Sequence, residues 1–114
     1  MLSVRLLLAI CNIHGLDSKA IDFGLAFPQA DLDIDIWMEL PEVIDPDNDE
    51  DNKGIYVLKL NKILYGLKQA SHNWYKKLKK DMLDRDFKPS KIDPCIFMKS
   101  GVIMLVYVDD CIII

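Results

Sequence analysis

Long hydrophobic runs are missing from this chain of 114 residues. No stretch approaches the roughly 20 consecutive apolar residues that a membrane-spanning helix needs, so a soluble protein is expected. Cysteine is sparse, and Cys11, Cys95 and Cys111 are an odd number without CxxC spacing. That pattern suggests neither a disulfide framework nor a zinc knuckle and predicts buried thiols in an intracellular protein. Arg5 followed by Leu6 to Cys11 faintly imitates a secretory leader, but Asn12, His14 and Gly15 follow without a small-residue cleavage pattern, which favours a core helix. The two histidines, His14 and His72, lie in unrelated contexts and suggest neither a metal pair nor a catalytic base. No internal repeat is evident.

What is present is enough for one packed core: 51% hydrophobic and 28% charged residues are ordinary for a folded domain. The net charge of -4 conceals a segregation. From Lys53 to Lys99 there are 12 basic and 4 acidic side chains, a net of +8; outside that stretch there are 2 and 14, a net of -12. A basic middle between acidic flanks suits a surface that grips phosphate beside one that holds divalent cations, and equally suits a solvated lysine-rich helix face.

Along the chain, Ser3 can cap a helix running to about Ile13, with Gly15 as its left-handed terminator. Ala20 to Phe23 reads as a strand end carrying Asp22. Asp31 to Met38 begins in strict alternation and predicts a strand with one wet face, its acids simply solvated. Residues 45 to 52 form an acidic loop by composition. Its alternating aspartates are no calcium loop, because Asn52 stands at the required glycine and Leu58 at the closing glutamate when Asp47 is counted first. Ile55 to Leu60 predicts a strand, and Ser71 to about Asp86 a helix with an apolar stripe of Trp74, Tyr75, Leu78 and Met82, ended before Pro89. Cys95 to Lys99 and Val102 to Val108, joined at Ser100-Gly101, predict an antiparallel hairpin. Cys111 to Ile114 starts another strand, and an apolar strand at the very end of a sequence suggests truncation.

Two adjacent aspartates after the apolar run Ile103 to Val108 are the oddest local feature. Unpaired buried carboxylates would be costly, so a hairpin tip presenting Asp109 and Asp110 to a divalent cation is one reading and a plain Asp-Asp turn the other. The surroundings favour the first. Leu64 to Tyr75 reads LYGLKQASHNWY, which closely resembles the LYGLKQAPRAWY block of Ty1/copia-type retrotransposon reverse transcriptases. Ile21 to Pro41 resembles their MDVKTAFLNGDLEEEIYMEQP segment, Ser90 to Cys95 their SKSDPC element, and Tyr107 to Asp110 their YVDD. The four blocks keep the family's order and spacing and, with Val4 to Ala9, cover essentially the whole chain. Pro28-Gln29-Ala30 in place of LNG and Ser71 in place of proline are departures that remove no carboxylate.

The resemblance implies an α+β fold, the reverse-transcriptase palm, as one partial domain over residues 1–114, its antiparallel sheet backed by two helices, without the N-terminal part of the fingers and without the thumb. It implies RNA-directed DNA synthesis from a primed RNA or DNA template and deoxynucleoside triphosphates. Asp22 and Asp109 would hold two Mg2+ ions (Mn2+ possible) roughly 3.5–4 Å apart, with Asp110 beside them. Phe27 would be the aromatic gate under the incoming sugar, Gln69 a contact to the nucleotide, and Tyr107 a neighbour of the primer terminus; without the resemblance they read as a core ring, a polar residue before a helix and a packed strand residue. The remainder of the Pol polyprotein, integrase and RNase H included, is the expected partner, and a cytoplasmic virus-like particle or the nucleus the expected place. The isolated piece is expected to be inactive. A noncatalytic transposon remnant, kept as a nucleic-acid or protein binding module, is the alternative; an unrelated two-metal nuclease would need a base near the acids, and none is evident.

Overall fold

A computed structural model describes residues 2–41 and 56–114. In chain order these form α1 (Leu2–His14), β1 (Lys19–Asp22), a 3-10 turn (Phe27–Gln29), β2 (Trp37–Glu39), β3 (Val57–Lys59), α2 (Ala70–Leu83), β4 (Lys88–Pro89), β5 (Ile96–Lys99), β6 (Val102–Tyr107) and β7 (Asp110–Ile113). The expected α+β architecture is present. A five-stranded antiparallel sheet runs β1-β7-β6-β5-β4, and β2 pairs with β3 in a separate ladder.

Alternation along the central strands decides which side chains meet which helix. On one face Phe97, Met104, Val106 and Cys111 are buried against the stripe Ala70, Trp74, Leu78 and Met82 of α2, with Ala26, Phe27, Ala30 and Ile63 closing the same cluster. The four α2 positions are spaced four apart, so one narrow helix face fills the sheet's centre. On the other face Leu105 is buried, as are Leu7 and Cys11 of α1, and Val4 shares a cleft with Leu105 and Ile112.

Local chemistry explains the element ends. Gly15, at φ 61°, lets the Leu16 N–H reach the Cys11 carbonyl at 2.9 Å, the Schellman closure of α1. Ser3 lies within α1 rather than capping it, and its hydroxyl donates instead to the Asp93 carboxylate. That bond holds Asp93 below the usual carboxylate range, with help from the Cys95 N–H. The helix α2 stops at Leu83, earlier than the sequence suggests, because Asp86 turns left-handed at φ 64° and the Phe87 N–H closes on the Met82 carbonyl at 3.0 Å. Pro89 then takes its place on the edge strand β4, where a missing N–H leaves no gap in the ladder.

Three expectations need correction. The alternating segment Asp31 to Met38 is not one strand: only Trp37 to Glu39 pairs with β3, and Asp31 makes an isolated bridge to Lys62. Its acids are also engaged rather than merely solvated, Asp31 by Lys62 and Asp35 by Lys59 at 2.8 Å, while hydrogen bonding from Asn73 lowers the Asp33 pKa. Of the three cysteines, Cys11 and Cys111 are buried but Cys95 is only half-buried. The acidic loop expected at 45 to 52 falls outside the described residues.

Candidate catalytic carboxylate site

Asp22 ends β1 and Asp110 begins β7, and the two are direct partners in the antiparallel ladder. Directly opposed residues project to the same face with Cβ atoms about 4.5–5.5 Å apart. That face is the α1 side, where a cleft of about 430 Å³ is lined by Asp22, Tyr107, Asp110 and Val4, among others. Like charges placed directly opposite are destabilising in a sheet, and among the described residues no lysine or arginine forms an ion pair with Asp22, Asp109 or Asp110.

The hairpin differs by one residue from expectation. Tyr107 pairs with Asp110, so the loop itself is Val108-Asp109, and Asp110 is already in the strand. Val108 has φ 59°, the left-handed region that a β-branched side chain rarely adopts, whereas Asp109 does not. A positive φ at the first loop residue only is the signature of a type II′ turn, a position that ordinarily takes glycine. Two contacts hold this turn. The Trp74 indole N–H donates to the Val108 carbonyl at 2.6 Å, and the Phe23 N–H donates to the Asp109 carbonyl at 2.7 Å. Phe23 in turn meets Trp74 edge to face, with ring centroids 5.6 Å apart.

Phe27 is 8% exposed and sits in the core with its ring 4.7 Å from that of Tyr65. Gln69 is the half-buried residue preceding α2, and its backbone carbonyl accepts the Asn73 N–H at 3.0 Å. Tyr107 is 56% exposed and stands beside Asp110 across the hairpin. On α2, Lys76, Lys79 and Lys80 are exposed, while Lys77 is bridged to Asp81 at 2.7 Å. The sequence reading missed Trp74 and Phe23 as parts of this site. The signal was available for Trp74: a tryptophan on a buried stripe must find an acceptor for its N–H.

The sequence profile of the reverse transcriptase (RNA-dependent DNA polymerase) family matches residues 1–114. The chain belongs to that family. Within it the similarity is to copia-type elements: the chain is 36% identical over 119 aligned residues to the retrovirus-related Pol polyprotein of transposon TNT 1-94 from Nicotiana tabacum, covering 100% of this chain and 9% of that protein. It is 39% identical to the Pol polyprotein of transposon RE1 from Arabidopsis thaliana, over 97% of this chain and 8% of the relative. Similarity extends to the Ty1-NL2 Gag-Pol polyprotein of Saccharomyces cerevisiae, at 30% identity over 82% of this chain. The reverse transcriptase sequence here thus spans less than a tenth of the length of these curated relatives. No solved structure matches it.

Carboxylate oxygens are the donors that hard divalent cations prefer, so the facing pair Asp22 and Asp110 fits such an ion in chemistry and in register. The fit is that of a pair: among the described residues no group of three His, Cys, Asp or Glu side chains converges on one point. Asp109, in the turn, is tied to the pair through its backbone rather than gathered with it.

Proposed function

We propose that this chain supplies the catalytic carboxylates of the palm in an RNA-directed DNA polymerase that extends a primer with deoxynucleoside triphosphates. The observation that carries the reading is the register of Asp22 with Asp110 on an open cleft, where among the described residues neither forms an ion pair with a lysine or arginine. Asp22 and Asp110, with Asp109 at the turn, would hold divalent magnesium. When bound, magnesium would neutralise charge developing on the reacting oxygens and orient the triphosphate.

The other residues supply position. Tyr107, exposed next to Asp110, offers a ring for the primer's terminal sugar and base to rest on. Phe27, whose ring is already packed by Tyr65 and the core, would be the fixed aromatic gate under the incoming sugar. Gln69, at the start of α2, would reach the incoming nucleotide. Because the chain spans 9% of its tobacco relative, synthesis belongs to the polyprotein containing it, and the isolated 114 residues are inactive.

Primer extension on an RNA template by the polymerase that contains this chain tests the reading. Asp22→Asn and Asp110→Asn are each expected to lower the rate by about a hundredfold or more, the scale of losing one electrostatic contact to a transition state. Extension at an unchanged rate by either variant would sink it, while processive extension by the 114-residue chain alone would overturn only the inactivity of the isolated piece.

A further inference from the structure

Trp74 touches both carboxylate-bearing segments. Its indole N–H is bonded to Val108, inside the turn that leads into Asp110. Its ring meets Phe23, the residue after Asp22. Phe23 and Asp109 are joined by a backbone hydrogen bond of 2.7 Å. The contacts therefore close a circuit, from Trp74 through Val108 and Asp109 to Phe23 and back to Trp74. At 4% exposure the indole has almost no access to water, so an unmade bond there would leave a buried donor and a carbonyl unsatisfied together.

We propose that Trp74 is a positioning residue that clamps the Val108-Asp109 turn onto β1 and so keeps Asp22 facing Asp110. Two further facts support a clamp over simple core filling. Val108 occupies a backbone region that persists only where its surroundings over-determine it, and the indole bond falls on that residue's own carbonyl. Leu78 and Met82, the next residues on the same helix stripe, fill the core with side chains that carry no hydrogen-bond donor. Trp74 alone on the stripe brings a directional bond to the turn. The purpose assigned to the register rests on the proposed polymerase reading, but the clamp does not.

The chain carries its own control, because its other tryptophan, Trp37, is 57% exposed. In the wild-type 114-residue chain, NMR hydrogen exchange should show the Trp74 indole proton protected well beyond that of Trp37. Trp74→Phe keeps an aromatic ring and deletes the donor. It should speed exchange of the Phe23 amide about tenfold, the factor of one hydrogen bond, and leave the β5–β6 ladder amides unchanged. The affinity for Mn2+, read by paramagnetic broadening at Asp22 and Asp110, should fall by a similar factor. Phe23→Leu, which keeps the indole bond and removes only the ring contact, gives a second variant should the first fold poorly, and is expected to shift the same amide less. Equal exchange of the two indoles in the wild type overturns the clamp, and so does an unchanged Phe23 amide in Trp74→Phe. A protected indole and a mobilised Phe23 amide, with no Mn2+ uptake by wild type or variant, uphold the clamp and refute the metal reading instead.

Discussion

The strand β6 ends in a two-residue hairpin turn at each side, and the two turns solve the same problem differently. At the start of β6, Ser100-Gly101 joins the pair Lys99 and Val102, and the left-handed position is a glycine at φ 76° with nothing within 4 Å of where a Cβ would stand. At its end, Val108-Asp109 joins Tyr107 and Asp110, and the left-handed position is a valine packed against the core and tied down by Trp74. The first turn is relaxed and free; the second is strained and held. Left-handed backbone at a β-branched residue costs about 1–3 kcal/mol and survives only where neighbours offset it. Strain is stored beside Asp109 and Asp110 and is absent from the far end of the same strand.

The largest effect should come from making the relaxed turn strained. Gly101→Val, whose Cβ would meet nothing within 4 Å, is expected to destabilise the chain by about 1–2 kcal/mol through the left-handed backbone, seen as a lower urea midpoint at unchanged slope. An unchanged midpoint would mean that the turn simply flips type, and the contrast between the two ends of β6 would disappear. The reverse exchange should have the opposite sign and a smaller size. Val108→Gly relieves the strain but adds about 0.5–1 kcal/mol of unfolded-chain entropy and gives up side-chain packing, so a net gain of no more than about 1 kcal/mol is expected. A clear loss of stability would show that the packing of Val108, not its backbone, is what the turn lives on.

Much of this contrast could be read from the sequence, and the unread part has a physical reason. Ser100-Gly101 between two branched apolar runs identifies its own turn, because glycine is the residue that left-handed backbone asks for. Val108 gives no such sign: a valine after Ile103 to Tyr107 reads as one more strand residue, which puts the expected turn one position late, on Asp109 and Asp110. The strand carrying Asp22 and the helix stripe through Trp74, Leu78 and Met82 were legible because periodicity is local. The register of Asp22 with Asp110 was not, since it is fixed by β1 pairing with a strand nearly ninety positions away. Asp31 to Met38 misled for the converse reason: its alternation is regular, but a strand needs a partner, and only Trp37 to Glu39 finds one in β3. The Ser90 to Cys95 block, legible only as a family likeness, is a loop knitted by its own side chains, with Ser90 Oγ accepting from the Ile92 N–H at 3.2 Å and Asp93 Oδ1 from the Cys95 N–H at 2.9 Å.

The smallest effect, and the sharpest probe of how firmly the strained turn is held, comes from Cys111. It is the second residue of β7, two past the turn, and its side chain lies on the α2 face beneath Trp74's helix. Burial pushes its thiol up from 9.0 to about 11. A group raised in the folded state favours folding fully below its unfolded pKa and loses that contribution as pH climbs towards the folded value. Stability should therefore be indifferent to Cys111 below pH about 9 and decline between about 9 and 11, as the unfolded chain's thiol ionises first. Lysines and tyrosines titrate in the same window, so the measurement is a difference: urea unfolding of wild type and Cys111→Ala at pH 8 and pH 10, with a steeper decline expected in the wild type. Parallel declines would mean that the thiol is not sealed. At pH 8, moreover, Cys111 should be alkylated only when β6 and β7 part. Its rate in the wild type then reports the opening of the held turn, and a rate as fast as that of half-buried Cys95 would show that the clamp leaves this end of β6 no firmer than the rest.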